Sequence, residues 1–332
     1  MYFSLRKVSG SVGKLERMKD SAKTKVREQI SKYGKDDPSI KADVDKLLSS
    51  IMIEPISMDP KGLVFKLDHL LKTYESFFKN KIALLTPNAD KVTRQNISNL
   101  VEVGMALDFI FRYVRHLFSS AKKYNDLYAV VMLQMNLPAL METADAYYSS
   151  TDSFSKGEPI GDGLGPLVAS KIIKGAPLKL VTEETVFTET NIEDRHLIVV
   201  KAEGPGGTVG RPGEAVEKLL ELYQDISMVV TIDAALKLEG EKSGDIAEGI
   251  GAAIGGPGVE RYMIEESSTK KKVPMYAIVV KMSEKEAITK MKDEIKNSSE
   301  EVVNRIKRLL TDKTKPQSTI LLAGIGNTIG IN

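Results

Sequence analysis

Near residue 150 the hydrophobic pattern of the chain changes period, and that change decides most of what it can fold into. Before it, apolar residues recur every three to four positions through Leu63 to Phe78, Arg94 to Phe118 and Asn125 to Tyr148, the repeat of one helix face after another. After it come short β-branched runs, His196-Leu197-Ile198-Val199-Val200, Met228-Val229-Val230-Thr231-Ile232 and Tyr276-Ala277-Ile278-Val279-Val280. Helical segments at Gly213 to Tyr223, Glu284 to Ile295 and Ser299 to Leu310 separate them. Strands apolar on both faces and spaced by helices predict a mostly parallel sheet covered on both sides. The expected architecture is an all-α domain at residues 1–150 followed by an α/β domain at 151–332. With 332 residues, 42% of them hydrophobic, the chain exceeds one ordinary core and can fill two.

Residues 1 to 35 interleave charge with Val8, Val12, Leu15, Met18, Ala22, Val26 and Ile30, the spacing of an amphipathic helix. The segment holds ten Lys/Arg against three Asp/Glu (Glu16, Asp20, Glu28) in a chain whose net charge is only +2. Its apolar face has few large residues, so packing on the protein is the first expectation and peripheral contact with an acidic membrane the second. Asp36-Asp37-Pro38-Ser39 should break this helix, a second should span Asp43 to Ile53, and Ile53 to Gly62, punctuated by Pro55 and Pro60, should connect onward. Further breaks are expected at Pro87 and around Lys122-Lys123. Arg112, Arg115 and His116 fall within two turns of one helix and read as a solvated face first and a ligand-binding face second. His69, Met132, Met135 and Met141 read as core or rim.

Composition excludes several functions. A charge so near neutrality, with pI about 8.4, lacks the basic excess of a phosphate-tracking surface, so no nucleic acid is expected. Zero cysteines exclude disulfides, thiol nucleophiles and Cys-ligated zinc, and His69, His116 and His196 are too few for a histidine-rich metal site. No apolar run reaches eighteen residues and the opening Met1 to Lys7 is too short for a signal peptide, so the expected location is cytoplasmic, with or without membrane association.

The chemistry is expected at glycine-rich punctuation. Gly161-Asp162-Gly163-Leu164-Gly165-Pro166 places three glycines and a proline around one acid, directly before the apolar helix pattern Leu167, Val168, Ala169, Ile172, Ile173. A carboxylate at a helix N-terminus suits a proton acceptor, a metal ligand or half of an acid/base pair, and equally suits a plain N-cap. In an open parallel sheet ligands gather beyond the carboxyl ends of the strands. That rim is expected to hold Asp162, Glu203, Asp233, Lys281 and Asn327, the last following the final strand Thr319 to Ala323 through Gly324-Ile325-Gly326. Two loops border it. Glu203 to Gly213, with Gly206, Gly207 and Thr208, precedes a helix and would cradle an anion or a peptide carbonyl. It lacks the spacing of a Walker loop or a dinucleotide fingerprint. Glu248 to Gly258, with Gly251, is either a surface loop or a lid over the rim.

Asp162-Gly163-Leu164-Gly165-Pro166-Leu167-Val168-Ala169, the strand end Ile232-Asp233-Ala234 and the strand end Gly324-Ile325-Gly326-Asn327 resemble the three signature segments of the hydrogenase maturation endopeptidases and the spore germination endopeptidases. The run from Glu203 to Ala234 is similar in order and spacing to the germination type. In those families the Gly-x-Gly-Asn strand comes first and passes straight into the Asp-Gly loop. Here it comes last, so the resemblance implies a circular permutant with its final strand beside the strand leading to Asp233, in a phosphorylase/hydrolase-like fold. It covers residues 158 to 332. The whole chain also resembles an archaeal family of conserved proteins of unknown function that pair a helical N-terminal region with this α/β half, some of them with a leading membrane-spanning segment that this sequence does not show.

Carried onto this sequence, the resemblance implies that Asp162 and Asp233 are the active-site carboxylates, metal-binding in the hydrogenase type and candidates for aspartic-type hydrolysis in the germination type. No histidine follows Asp233, and His196 lies at the opposite end of its strand, a departure from the nickel-recognising pattern. The expected function is peptide or amide hydrolysis by the Asp162–Asp233 dyad, aspartic-type or assisted by a divalent cation, with Glu203 able to complete an oxygen site and the helical domain recruiting or covering a protein or peptide substrate. The alternative is a non-enzymatic ligand- or protein-binding module on the same fold.

Overall fold

The fold was obtained as a computed structural model, which describes residues 2–34, 40–48, 62–256 and 258–332. The described residues fall into two units: those up to 48 together with 73–156, and 62–72 together with 157–332. The sequence places the division at 150; the contacts place it after Lys156, because the last helix of the first unit continues that far.

The first unit is built from α1 (Tyr2–Tyr33), α2 (Ile40–Leu48), the later part of α3 (Leu63–Leu85), α4 (Lys91–Tyr124) and α5 (Leu127–Lys156). Val8, Leu15, Met18, Ala22, Val26 and Ile30 form the buried stripe of α1, which packs on α4 and α5. Several of its cations meet acids of the same unit: Lys14 with Asp145, Lys23 with Asp108, Lys25 with Asp152 and Arg27 with Asp45. Asp90 caps α4 by accepting from Thr93 N at 2.7 Å. α4 runs through Lys122-Lys123 and stops at Asn125, whose left-handed backbone (φ 50°) and the following Asp126 supply the break. Arg112 pairs with Asp108 and Arg115 lies over the Phe111 ring. The expected break at 36–39, the end of the second helix beyond Leu48 and the connector from 53 to 61 lie outside the described residues. Among the described residues no helix is long and apolar enough to cross a membrane.

The second unit carries a seven-stranded sheet. In chain order come α6 (Leu164–Ile173), β1 (Lys179–Thr182), β2 (Thr185–Ile192), β3 (Arg195–Ala202), α7 (Pro212–Leu222), β4 (Ile226–Leu236), β5 (Ile246–Ile250), α8 (Val259–Lys271), β6 (Met275–Met282), α9 (Glu284–Ile288), α10 (Asp293–Lys313) and β7 (Thr319–Gly324). Across the sheet the order is β1-β2-β3-β7-β4-β6-β5. The middle strands β3, β7, β4 and β6 are parallel, and antiparallel β1, β2 and β5 close the two edges. Successive residues of the middle strands enter opposite cores, which is why their sequences are apolar without alternation. Leu197, Val199, Val230, Ile232, Ile320 and Leu322 pack under α6 and α10. Ile198, Val200, Val229, Leu321 and Ala323 pack under α7 and α8. β7, the last strand in sequence, lies between β3 and β4, with Val200↔Ala323 on one side and Ile232↔Gly324 on the other.

Candidate functional site

The ladder between β4 and β7 stops at Ile232↔Gly324, but β4 continues to Leu236 beside β6. Asp233 is therefore the first residue of β4 past its central neighbour, inside the strand rather than after it. It is only 4 % exposed. Its Oδ1 accepts from Ala234 N at 2.7 Å and its Oδ2 from Gly255 N at 3.0 Å. Alternation puts its side chain on the face of Thr231, whose hydroxyl accepts from Ala253 N at 3.1 Å.

Asp162 arrives from the segment that leads into α6. The residues before it are pinned by the Ile160↔Lys290 bridge and by Gly161 N donating to Thr289 O at 3.2 Å. Asp162 sits in a single 3₁₀ turn, Gly161–Gly163, and the N-cap of α6 is Gly163, so the side chain of Asp162 is not a helix cap. Instead its Oδ2 accepts from Asn327 N, just beyond β7, at 2.8 Å. The glycines permit this approach. A Cβ at Gly165 would stand 2.1 Å from Ile325 O and 2.5 Å from Ile232 O, and Gly326, at φ 135°, presses on Asp162 O. Gly165→Ala should thus lift the start of α6 off β4 and β7 and part Asp162 from Asn327, costing about 1–3 kcal/mol by overpacking. A lowered thermal midpoint, with a weaker dependence of stability on alkaline pH, is the expected readout.

Burial raises the pKa of Asp162, against the Asn327 N–H bond that lowers it. Burial and then the charge of Asp162 push Asp233 up to about 8, against the N–H bonds from Gly255 and Ala234. The charge of Asp162 therefore bears on the ionisation of Asp233. Among the described residues neither makes an ion pair; Lys281, expected on this rim, is taken by Glu241, and Lys237 reaches Glu286 at 3.6 Å.

The other expected site residues are distributed differently. Asn327, 7 % exposed, contributes its backbone N–H to Asp162 and turns its Oδ1 to Ile329 N at 3.0 Å. Glu203 follows β3, which β7 separates from β4, so its backbone lies roughly 10 Å away from that of Asp233. Gly206, Gly207 and Thr208 are buried in a loop laced to the residues after β7. The Thr328 hydroxyl reaches Gly206 O at 2.8 Å and Thr208 O at 3.0 Å, Thr328 N donates to Thr208 O at 2.9 Å, and Thr208 Oγ1 donates to Glu184 at 2.6 Å. What that loop does here is hold the turn carrying Asn327. Gly251 is bonded to Met275 O, at the amino end of β6. Because β5 runs antiparallel, its end falls at the end of the sheet opposite the rim, roughly 13 Å below Asp233 along the strand direction at the rise of four strand residues, and two strands to the side. The segment then climbs the sheet face so that Gly255, not Gly251, meets the site. Composition marks the glycine-dense loop, but nothing in it distinguishes Gly255 from its neighbours. His196 contacts Glu189 at 3.1 Å at the far end of β3.

Among the described residues no three His, Cys, Asp or Glu side chains converge as a metal site. Glu203 is held apart, which leaves Asp162 and Asp233 as the two carboxylates that this rim brings together, both oxygens of Asp233 already accepting N–H bonds.

Comparison with known families agrees with the two-part chain. The family model described as "Protein of unknown function (DUF1512) N-terminal domain" matches residues 1–157, and "Domain of unknown function (DUF1512) C-terminal" matches residues 160–332. The chain belongs to the DUF1512 family. No curated protein matches it, and no solved structure matches it.

Proposed function

We propose that this member of the DUF1512 family is a peptide or amide hydrolase in which Asp162 and Asp233 activate water. The observation that carries the reading is the meeting of a buried Asp233 and a half-buried Asp162, brought from separate segments to the carboxyl end of the sheet, each within reach of the other's charge and neither paired with a cation among the described residues. Two such groups keep one proton between them near neutrality. Both oxygens of Asp233 accept N–H bonds and only Oδ2 of Asp162 does, so Asp162 Oδ1 is the oxygen through which the proton is shared. In hydrolysis the ionised carboxylate takes a proton from water as its oxygen bonds to the carbonyl carbon, and the neutral carboxyl protonates the carbonyl oxygen. The first carboxyl, now protonated, gives its proton to the leaving nitrogen as the C–N bond breaks, and a hydroxyl of the gem-diol returns a proton to the second as the carbonyl re-forms, which restores the dyad.

The bond from Asn327 N to Asp162 supports relating β7 and α6 to the adjoining strand and Asp-Gly loop of the endopeptidases, transposed in sequence but adjacent in space. The helical unit would recruit the protein or peptide substrate. The test is hydrolysis of a peptide and amide library by the wild type and by Asp162→Asn and Asp233→Asn. Partner binding that persists unchanged in both variants, with no turnover by the wild type, would favour a binding module instead.

A further inference from the structure

The helical unit carries a feature that the dyad does not use. α4 and α5 form a hairpin whose tip presents Tyr124, Leu127, Tyr128, Val131 and Met135 to solvent, Tyr128 and Met135 at 73 % and 72 % exposure. Leu127, Val131 and Met135 recur every fourth residue and form one outward stripe, while Ala129, Val130, Leu133 and Leu137 face inward. α5 thus has an apolar face beyond the one its own core consumes, and a contiguous patch of this kind marks an interaction surface.

The charges around it indicate what covers it. From Phe109 to Met135 the chain has Arg112, Arg115, Lys122 and Lys123 against the single acid Asp126. Asp126 is occupied, capping α5 by accepting from Ala129 N at 3.1 Å, and Arg112 is paired with Asp108. Arg115, Lys122 and Lys123 make no ion pair among the described residues; Arg115 lies over the Phe111 ring and Lys123 over the Tyr124 ring. Tyrosines with wet hydroxyls, an aliphatic stripe and unpaired cations beside them suit the boundary between water and an anionic bilayer, where rings sit at headgroup level and cations meet lipid phosphates. The apolar stripe of α1 is buried in the unit, so this tip, not that helix, has apolar surface to offer. We propose that the α4–α5 hairpin tip docks the protein onto an anionic membrane surface.

The sequence has no tryptophan, so Tyr128→Trp places a single fluorescent reporter at the tip and Ile250→Trp, at a residue 90 % exposed in the other unit, provides the control. With full-length protein and vesicles of phosphatidylcholine and phosphatidylserine at low salt, the tip reporter should shift to the blue and the control should not. Vesicles of phosphatidylcholine alone should bind far less. Lys122→Gln with Lys123→Gln should weaken partitioning about thirtyfold, from the usual value of a surface cation near anionic lipid, and added salt should weaken the wild type. Leu127→Ser with Val131→Ser should abolish the shift without changing the thermal midpoint. An unshifted tip reporter on anionic vesicles overturns the proposal, as does a shift of the control alone. Concentration-dependent dimerisation through the tip without vesicle binding would show that a second copy is the occupant, and overturns it too.

Discussion

Asp162→Asn and Asp233→Asn should each lower hydrolysis by about 10²- to 10⁴-fold, the range set by a positioned acid or base, and the double variant should lose little more than either alone. The reason is that neither carboxyl works singly: one must hold the proton for the other to be a base. The substitutions differ structurally. At Asp162 an amide keeps an oxygen for Asn327 N and turns its NH₂ toward Asp233, imitating the protonated dyad, so the fold should be undisturbed. At Asp233 an amide has one oxygen for two N–H donors, Ala234 and Gly255, and must leave one facing its own NH₂. That variant should lose activity and about 1–3 kcal/mol of stability together. The wild-type rate should fall on the alkaline side near the second ionisation of the pair, about 8. Equal turnover by wild type and both variants would remove the dyad from the chemistry.

Raising the pH from 5 to 9 should cost the wild-type protein several kcal/mol of folding stability. Asp233 ionises near its ordinary 3.8 when unfolded and near 8 when folded. Below about 4 it is protonated in both states and has no effect on the balance. Between those values the unfolded chain has released the proton and the folded one has not, so stability falls as pH rises and levels off once the folded group has ionised. Each unit of difference is worth about 1.4 kcal/mol, and the loss belongs to the coupled pair as a whole. Glu286 works in the opposite sense. Held near 2, against its own burial, by Lys292, Ser243 and the Ser283 N–H, it adds stability above its unfolded value and loses it as the pH drops toward 2. Thermal or urea unfolding from pH 3 to 9 should show both limbs. Asp162→Asn should shorten the alkaline limb to the part that burial of Asp233 alone sets, and Glu286→Gln should flatten the acid one; an alkaline limb unchanged in Asp162→Asn would mean the carboxyl groups do not interact.

β3, β4, β6 and β7 were legible as strands because both their faces are buried, and burial on two sides writes itself as an unbroken apolar run. β2 (Thr185–Ile192) ends in Glu189 and Asn191 on an antiparallel margin, and β5 has Glu248 and Gly249 on an exposed edge, so neither shows a pattern that separates it from a loop. α8 was missed for a related reason: Val259, Ile264, Ser267 and Ser268 are its buried residues, too few of them apolar to set a period. Asp162 and Asp233 stood out by their local context, a glycine turn and a strand of hydrophobic residues. Their meeting did not, since apolar periodicity does not order strands across a sheet. The resemblance to the Gly-x-Gly-Asn segment suggested where β7 goes, and the ladders Val200↔Ala323 and Ile232↔Gly324 now fix it independently. The N-cap reading of Asp162 failed on one residue, because the 3₁₀ turn hands the cap to Gly163.

The central place of β7 also sets a timetable. A ribosome delivers β3, β4 and β6 before it delivers Thr319–Gly324, so the strand that joins β3 to β4 is the last of the sheet to be made. Asp233 is synthesised long before Asn327, whose N–H donates to Asp162, so nothing holds the two carboxylates in place until β7 is seated. A chain halted before Thr319 should accordingly be inert and, with two bare apolar edges facing each other, should be found with chaperones or in the insoluble fraction. The dyad would be unable to cleave anything, its own nascent chain included, until the rest of the sheet has been made.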